Sequence, residues 1–422
     1  MKFDVFFSLC QANVDGYLPS ERVMFENFFD QVRLADALGF DVAWVAESHL
    51  SSEVQKSNPD PVIPHFNGEV GLNTDILQLA HKVFGQTRRI EIGSAIRNIL
   101  CNGGPLAHAE SIRMFLTLHG MNAEESRRLH IGFAAGRFDY SNQPYGICPR
   151  NRSEQVAWQV IKAKIFSEAV EIFCRGLKGD IFATNDLAPH KLTPNDFREP
   201  TEWALFKRAY EEETHTTVAD DSVTLRPRWT FNKVGLIPRE SPLHLLSLTI
   251  GSHDPKTQIL ANSFLACKVF NLSITPSKMI EETHQRMLQH FNPAGGPWRR
   301  EYLPRTVLVF IEGGPQLTPQ QQSQRARERA QKALESYWHA MEGTLNPARI
   351  AQATENALCG NPEEIREQIR TRFHPEDRLM LWFDFNCHDN ALVKRGMRLF
   401  AEEVLPYVQE GKKIELPIAS TR

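Results

Sequence analysis

The chain has 422 residues, 48 basic and 51 acidic, with a formal net charge of −3 and a hydrophobic fraction of 41%. Nearly balanced charge gives no electrostatic reason to expect a nucleic-acid partner or a membrane-surface partner. No apolar run approaches the roughly 18 residues that a membrane span needs, and Asp4 lies where a signal peptide would continue its apolar core. Seven cysteines without a C-x-x-C pair are typical of a reducing compartment. We therefore expect a cytoplasmic protein without a disulfide framework.

Short apolar runs rich in Val, Ile and Phe alternate with longer stretches of helical period, which is typical of a parallel sheet with crossover helices. Strands are predicted over residues 3–9, 41–46, 90–96, 129–134, 243–248, 267–272, 305–311 and 378–385. Helices are predicted from 25 to 38 with Gly39 as the cap, up to 84, and over 106–118, 158–177, 277–291, 320–341, 362–372 and 391–407.

Eight candidate strands, each followed by a helical pattern, match the count of a (β/α)8 barrel. The rival is a doubly wound open sheet, which usually has fewer strands and a glycine-rich turn after the first one. The first strand instead ends in Leu9-Cys10-Gln11-Ala12. We predict an α/β protein, a TIM barrel that forms a single domain over residues 1–422. Residues 180–240, between strands four and five, are too long for a plain connection, and we expect this insertion to act as a lid over the barrel mouth.

In such a barrel the active site lies at the carboxyl ends of the strands. Glu47 and His49 follow strand two at alternating positions, so both side chains can project to one side of the chain. The histidine could act as an acid or base near neutral pH, but a structural hydrogen-bonded pair is equally compatible with the pattern. Further candidates lie at the ends of other strands: Arg97 and Asn98 after strand three, residues 135–140 after strand four, and residues 384–386, in which strand eight ends.

The segment from Thr249 to Ser252 precedes a helix that starts at Pro255. Two hydroxyls and successive backbone N–H groups near a helix N-terminus favour an anion such as phosphate. The alternative is that Ser252 or Asp254 only caps the helix, and the spacing alone favours capping. A metal site is not expected, because the histidines include no H-E-x-x-H and the cysteines lack ligand spacing.

Taken together, these segments resemble the bacterial luciferase-like flavin-dependent monooxygenase family. The stretch Gly-Phe-Asp-Val-Ala-Trp-Val-Ala-Glu-Ser-His at 39–49 is similar to the family's strand-two segment, which usually ends in E-H-H. Other segments in the family's order are residues 87–96, 105–110, 358–365 and 400–406. The family fold is a (β/α)8 barrel, in agreement with the strand count.

The resemblance implies a two-component monooxygenase that uses reduced FMN, supplied by a separate NAD(P)H:flavin reductase. O2 would add to the flavin to give a C4a-peroxy species that attacks a small organic substrate, while the protein supplies binding, orientation and exclusion of water. A homodimer is also expected from the family.

The family's roles can be carried over residue by residue. Thr249, Gly251 and Ser252 match the phosphate-binding segment after strand five, which reverses the preference for capping alone. Ser94-Ala95 match the dipeptide under the flavin ring, where luciferases have a cis peptide bond. The remaining implied roles are ring contact for Phe6, catalysis for Glu47 and His49, substrate contact for Arg97 and Asn98, and phosphate contact near Ala135, where Arg137 could replace the family's arginine.

The chain also departs from the family's pattern. The first histidine of E-H-H is Ser48 here, and because serine is a poor base, we do not expect a luciferase itself. Two alternatives stay open: an F420-dependent oxidoreductase that transfers hydride on the same fold, and a non-catalytic flavin-binding relative. The sequence does not name the substrate.

Overall fold

The structure is a computed structural model that describes residues 1–340 and 356–408. Two compact units are present. Unit 1 consists of Met1–Ala95, Phe270–His284 and Arg299–Arg422, and unit 2 consists of Ile96–Val269 and Gln285–Trp298. Strand three and the helix after strand six each contribute residues to both units.

The elements follow one another along the chain with strands and helices in alternation. The strands are β1 (Lys2–Phe7), β2 (Val42–Val45), β3 (Glu91–Asn98), β4 (Leu129–Ala134), β5 (Ile181–Phe182), β6 (Lys191–Leu192), β7 (Val223–Thr224), β8 (Val234–Gly235), β9 (Leu246–Ile250), β10 (Cys267–Val269), β11 (Arg305–Ile311), β12 (Leu358–Gly360) and β13 (Arg378–Trp382). The helices are α1 (Glu21–Leu38), α2 (Ser52–Gln55), α3 (Ile76–Phe84), α4 (Gly104–His119), α5 (Arg152–Val156), α6 (Trp158–Lys178), α7 (Pro200–Thr214), α8 (Pro255–Phe264), α9 (Ser277–His290), α10 (Pro319–Ala340), α11 (Pro362–Arg372), α12 (Asn390–Glu403) and α13 (Leu405–Val408).

The main sheet is parallel, and its strands lie beside their neighbours in the sequence. In unit 1 the order is β3, β2, β1, β13, β11, β12, and in unit 2 it is β10, β9, β4, β3. The last strand pairs with the first, with Val5 opposite Leu381, and an isolated parallel bridge joins Asn271, just after β10, to Arg305 of β11. This order confirms the predicted α/β fold of the (β/α)8 class.

The side chains of β1 explain how this sheet is stabilised. Phe3 and Phe7 face the helices, with ring centroids 5.7 Å from Phe400 and 5.2 Å from Phe28. Residues between them face the other side, because side chains alternate along a strand. Among these, Asp4 is fully buried and accepts hydrogen bonds from Trp44 (2.8 Å) and Arg378 (2.6 Å). Polar groups at the amino ends of these strands are thus used for structure.

Several predicted boundaries were wrong. Strand five starts at Leu246, because Leu243–Leu245 forms a 3-10 turn after Pro242. The closing helix is broken between α12 and α13 near Pro406, which has no N–H to continue the helical hydrogen bonds. Strand β12, paired with β11, was not predicted. Met341, the predicted end of the helix now seen as α10, lies outside the described residues.

Residues 180–240 fold as short elements of unit 2, with β5 paired to β8 and β6 paired to β7, both antiparallel, and with helix α7 between them. The buried carboxylate of Glu168 in α6 accepts the backbone N–H groups of Arg228 (3.0 Å) and Trp229 (3.1 Å). Glu213 of α7 similarly accepts the backbone N–H of Arg152 (2.7 Å) in α5. Carboxylate–backbone hydrogen bonds therefore tie this insertion to α5 and α6, while its action as a lid and the single-domain organisation stay predictions.

No helix in the described part of the chain has the length and apolar character to cross a membrane. All seven cysteines fall within the described residues and are free thiols.

Candidate functional site

In unit 1, the segments after β2 and within β3 bring three of the predicted polar residues together. The Glu47 carboxylate lies 3.2 Å from His49 Nε2 through one oxygen and accepts the Ser94 hydroxyl at 3.1 Å through the other. The side chains of His49 and Glu47 are 7% and 0% exposed. A histidine oriented by a buried carboxylate can exchange a proton while keeping its position. Both functions weighed from the sequence, catalytic and structural, require this hydrogen bond, so the catalytic role stays a proposal.

Phe6, Ser94 and Ala95 were the predicted ring contacts. Phe6 is buried, with its ring 4.4 Å from that of Trp382, and Ser94 is fully buried. The Ser94–Ala95 peptide bond is trans. Among the described residues, the cis peptide bond is the one that joins Ile237 to Pro238. The cis bond implied by the resemblance was therefore wrong. β3 continues through both residues to Asn98, in keeping with the cost of about 3–4 kcal/mol for a cis bond without proline.

A second polar cluster of unit 1 lies where β1 and β13 end. Oδ2 of Asp384 accepts hydrogen bonds from the backbone N–H and the hydroxyl of Ser8, both at 3.1 Å. Burial raises the pKa of the Asp384 carboxyl to about 6, although the donors on Ser8 and the Trp382 indole oppose the shift. Burial, with Asp384 adding to the effect, also raises the pKa of the Cys10 thiol to about 12. The sequence placed residues 384–386 at a strand end but assigned no role to Asp384.

Unit 1 also contains a cavity of about 470 Å3 beside the ends of β11 and β13. Its walls combine aromatic and aliphatic side chains with polar ones. The cations Arg329 and Lys332 are among the polar ones, and they already bind Glu312 and Asp15. A pocket of this size is in the range of small-molecule sites.

In unit 2, the predicted phosphate-binding segment follows β9. Thr249 is fully buried, and its hydroxyl has no hydrogen-bond partner among the described residues. At Gly251 a Cβ would overlap the end of the Ile96 side chain, which would have to shift to make room for it. The Ser252 hydroxyl accepts the N–H of Asp254 at 3.2 Å. The segment thus presents one unused hydroxyl beside close-packed backbone.

The alternative reading of this segment, helix capping, is realised by Asp254. Its carboxylate accepts the Thr257 N–H at 2.9 Å and so caps α8. Capping by Asp254 leaves Thr249 and Ser252 available for another role. The next residue after Ser252, His253, has a buried Nδ1 without a partner in the described chain, and burial together with Arg286 lowers its pKa. His253 directly follows the predicted segment, but a lone histidine in the sequence gave no signal for a role.

The other candidates of unit 2 take part in the structure of two loops. Asn98 donates to Asn142 Oδ1 at 2.6 Å and accepts the Leu100 N–H at 3.0 Å. Asn142 in turn donates to the carbonyl of Ala135 at 3.1 Å. This network joins the loops after β3 and β4, so Asn98 has an evident structural role that the sequence did not indicate.

The two predicted arginines differ in burial. Arg97 is 2% exposed and donates to His108 Nδ1 at 2.8 Å. Arg137 is exposed, with its guanidinium 5.2 Å from the centroid of the Phe138 ring. Only Arg137 therefore presents its charge to solvent. Within residues 1–340 and 356–408, no group of three or more His, Cys, Asp or Glu side chains could hold a metal ion.

Comparisons with known proteins agree with this architecture. Residues 1–120 match the family model described as luciferase-like monooxygenase, which confirms the resemblance predicted from the sequence. The sequence matches none of the curated proteins.

Solved structures similar over the length of the chain show the same fold. The monooxygenase RslO1 from Streptomyces bottropensis has 18% identity and a TM-score of 0.64, with 96% of this chain and 99% of that chain covered. The oxygenating constituent of 3,6-diketocamphane monooxygenase from Pseudomonas putida, a type II Baeyer-Villiger monooxygenase in complex with FMN, has 14% identity and a TM-score of 0.56 over 96% and 98%. An F420-dependent secondary alcohol dehydrogenase in complex with an F420-acetone adduct has 14% identity and a TM-score of 0.53 over 97% and 100%.

Proposed function

From the match of residues 1–120 to the luciferase-like monooxygenase family, we propose that this protein is a flavin-dependent monooxygenase. It uses reduced FMN and O2 to oxygenate a small organic molecule. The fold shared with a monooxygenase in complex with FMN supports this choice of cofactor.

The observation that carries the proposal is the unused, fully buried hydroxyl of Thr249. A buried hydroxyl without a partner is costly, and a ligand oxygen that accepts its proton would remove the cost. With Ser252 and the backbone of Gly251 beside the N-terminus of α8, the segment fits the phosphate of FMN. Arg137, exposed in the loop after β4, is the cation that we propose for the same phosphate, near Ala135.

The remaining roles concern the flavin ring and the substrate. Phe6, Ser94 and Ala95 would contact the ring, and Arg97 and Asn98 would lie near the substrate. When bound, reduced FMN supplies the electrons that activate O2. Glu47 holds His49 in one orientation through Nε2, so the imidazole can hold or move a proton at its other nitrogen, Nδ1. The burial of both side chains keeps bulk water away from that proton.

The proposal includes two partners. A separate NAD(P)H:flavin reductase would supply reduced FMN, and two copies of the chain would form a homodimer. Both follow from the family resemblance.

A second candidate is an F420-dependent oxidoreductase that transfers hydride without O2. The similarity of fold to the F420-dependent secondary alcohol dehydrogenase favours this candidate, because that similarity extends over nearly the whole chain.

Anaerobic titration with reduced FMN, reduced riboflavin and reduced F420 tests the proposal, followed by measurement of oxygen consumption with candidate substrates. We expect binding of reduced FMN, weaker binding of riboflavin because it lacks the phosphate, and oxygen uptake coupled to product. Binding of F420 alone, with no oxygen uptake, would replace this function by the second candidate.

The variant Thr249→Val tests the phosphate site. Valine keeps the shape and removes the unpartnered hydroxyl, so we expect the free protein to be at least as stable as wild type. FMN affinity should fall about tenfold, as for loss of a hydrogen bond to a charged group, while riboflavin affinity stays the same. The control is Thr306→Val, where the hydroxyl accepts the Ser273 N–H at 2.8 Å, so stability falls and the FMN-to-riboflavin ratio is unchanged. An equal loss for both flavins in Thr249→Val would contradict the phosphate site.

A further inference from the structure

Asp384 and Ser8 lie just past the ends of two paired parallel strands. β13 ends at Trp382 and β1 ends at Phe7, and the two strands are in register side by side in unit 1. Both residues are therefore at the edge of the sheet where barrels of this class bind their ligands.

The two oxygens of Asp384 have different surroundings. Oδ2 accepts both donors of Ser8 at 3.1 Å, whereas Oδ1 is buried and has no partner at ordinary hydrogen-bond geometry among the described residues. The nearby Trp382 indole only moderates the rise in the pKa of the carboxyl. Burial is the largest influence on the pKa of this carboxyl, and the hydrogen bonds from Ser8 offset it only in part. Burial is the main reason that the pKa of the Cys10 and Cys387 thiols is raised and that of His388 is lowered. Near neutral pH all three groups are therefore uncharged, and none of them offsets the negative charge of the Asp384 carboxylate.

Asp4, on the same strand as Ser8, shows what a structural carboxylate looks like in this unit. It is fully buried, one oxygen accepts from Arg378 at 2.6 Å, and the other accepts from Trp44 at 2.8 Å. A role in joining two strands accounts for Oδ2 of Asp384 but leaves Oδ1 without a function. Buried polar atoms usually have a partner, so Oδ1 requires one.

The residues two positions earlier indicate what that partner is. Phe6 precedes Ser8 and Trp382 precedes Asp384, and in extended chain such residues share one face of the sheet. Their rings lie 4.4 Å apart, and Trp382 is 5.0 Å from Phe385. The indole N–H of Trp382 is near enough to the Asp384 carboxyl to lower its pKa, but it is buried and forms no hydrogen bond of ordinary geometry within the described chain. An aromatic surface beside a free acceptor fits a planar apolar molecule that carries a hydrogen-bond donor.

We propose that Asp384 is a substrate-binding residue, oriented by Ser8, whose Oδ1 accepts the O–H or N–H group of a planar organic substrate. This inference rests on the proposed function, because it assigns a substrate class to the monooxygenase. With an O–H donor, the ionised carboxylate can also take the proton: the substrate O–H bond breaks, the proton goes to Oδ1, and the electron pair stays on the substrate oxygen. No electron is exchanged in this step.

A water molecule is the rival partner. A void of about 20 Å3, lined by Asp384, His388 and residues of α1, has room for one water. A water held there would satisfy Oδ1 without any preference among organic ligands.

The test compares phenol with anisole, which has the same ring and oxygen but no O–H, by NMR titration of the full chain. Wild type should bind phenol about tenfold to a hundredfold more tightly at pH 8, as expected for a hydrogen bond to a charged group. The preference should weaken below about pH 6 as the carboxyl becomes protonated. Equal affinity for phenol and anisole in wild type would overturn the proposal in favour of the water.

Variants separate the residue from its surroundings. Asp384→Leu should abolish the preference for phenol over anisole. Asp384→Asn should abolish the pH dependence of that preference, and Ser8→Ala should make the preference smaller. The half-exposed Asp41, which lies before β2, provides the control Asp41→Asn with the preference unchanged. If Asp384→Leu does not fold, Asp384→Asn decides, since a pH dependence that persists there contradicts the role. A preference for phenol in a protein that binds no reduced FMN would refute the proposed function but confirm Asp384 as a ligand-binding residue.

Discussion

At the residue scale, the cost of keeping Asp384 ionised is a measurable property of the folded protein. Its carboxyl has a pKa of about 6 when folded, against 3.8 ordinarily. Stability from this group is therefore fully present below about pH 4 and is lost as the pH rises through 6. The difference amounts to at most about 3 kcal/mol. Buried groups with such a cost occur more often at functional sites than elsewhere.

We predict that Asp384→Asn is more stable than wild type at pH 8 and about equal to it at about pH 3, below the ordinary pKa of the carboxyl. The physical reason is that asparagine resembles the protonated acid and needs no solvation of charge. Urea unfolding at a series of pH values measures the gap. A constant difference in the free energy of unfolding from about pH 3 to about pH 8 would contradict the raised pKa.

The pair Glu47 and His49 gives a second prediction at this scale. His49→Gln should lower turnover of an accepted substrate by about a hundredfold or more, the usual contribution of an acid or base, while reduced FMN still binds. Glu47→Gln should also lower turnover, because the carboxylate that orients His49 is lost. The adjacent Ser48→Ala is the control, since its structural hydrogen bond uses only the backbone N–H, to Asn73. If His49→Gln retains full turnover, the hydrogen bond between Glu47 and His49 has only a structural role.

At the element scale, the loop after β4 depends on a glycine for two reasons. Gly136 has a φ of +74°, and a Cβ there would overlap the side-chain amide of Asn98. Gly146, with a φ of +78°, has open space around it. The two positions share the backbone conformation and differ in the contact.

This pair makes a matched experiment. Gly146→Ala should destabilise the protein by about 1 kcal/mol from the left-handed conformation alone. Gly136→Ala should cost about 1–3 kcal/mol more, because the loops joined by Asn98 must shift. Denaturant unfolding of both variants gives the difference, and equal losses would mean that Asn98 moves aside freely.

The insertion is the other element whose attachment can be tested. Glu168 accepts two backbone N–H groups from residues 228–229, and burial raises its pKa. In Glu168→Gln, one carboxylate oxygen becomes an NH2 that faces N–H donors, so we expect faster hydrogen exchange in residues 181–235. The control is Glu212→Gln, at an exposed position of α7. Unchanged exchange in Glu168→Gln would show that other contacts hold the insertion.

At the scale of the whole molecule, the order of the strands was predictable because it depends on a repeated local pattern. The strands of the main sheet are rich in buried apolar residues, and β4 and β11 have the bounds that the apolar runs predicted. β12 was not predicted, because three residues ending in Gly360 do not stand out from a loop. The 3-10 turn before β9 was read as strand, since Leu243 and Leu245 are as apolar as the strand itself.

The candidate site was predictable only in part. Position after a strand identified Glu47, His49, Thr249 and Ser252, and Glu47 and His49 are indeed in hydrogen-bond distance. The same rule singled out Asn98, which the structure shows engaged with Asn142. Residue type and position do not reveal whether a polar atom already has a partner.

The amino-acid sequence by itself determined the class of fold, the sequential strand order and the segments that follow the strands, because hydrophobic periodicity is a local property. The tertiary structure alone decided which polar atoms in those segments are satisfied. It paired both oxygens of Asp4, left one oxygen of Asp384 and the hydroxyl of Thr249 without partners, and assigned the cap of α8 to Asp254. Hydrogen bonds between residues as distant in sequence as Ser8 and Asp384 depend on how the strands pair, and no local pattern encodes that.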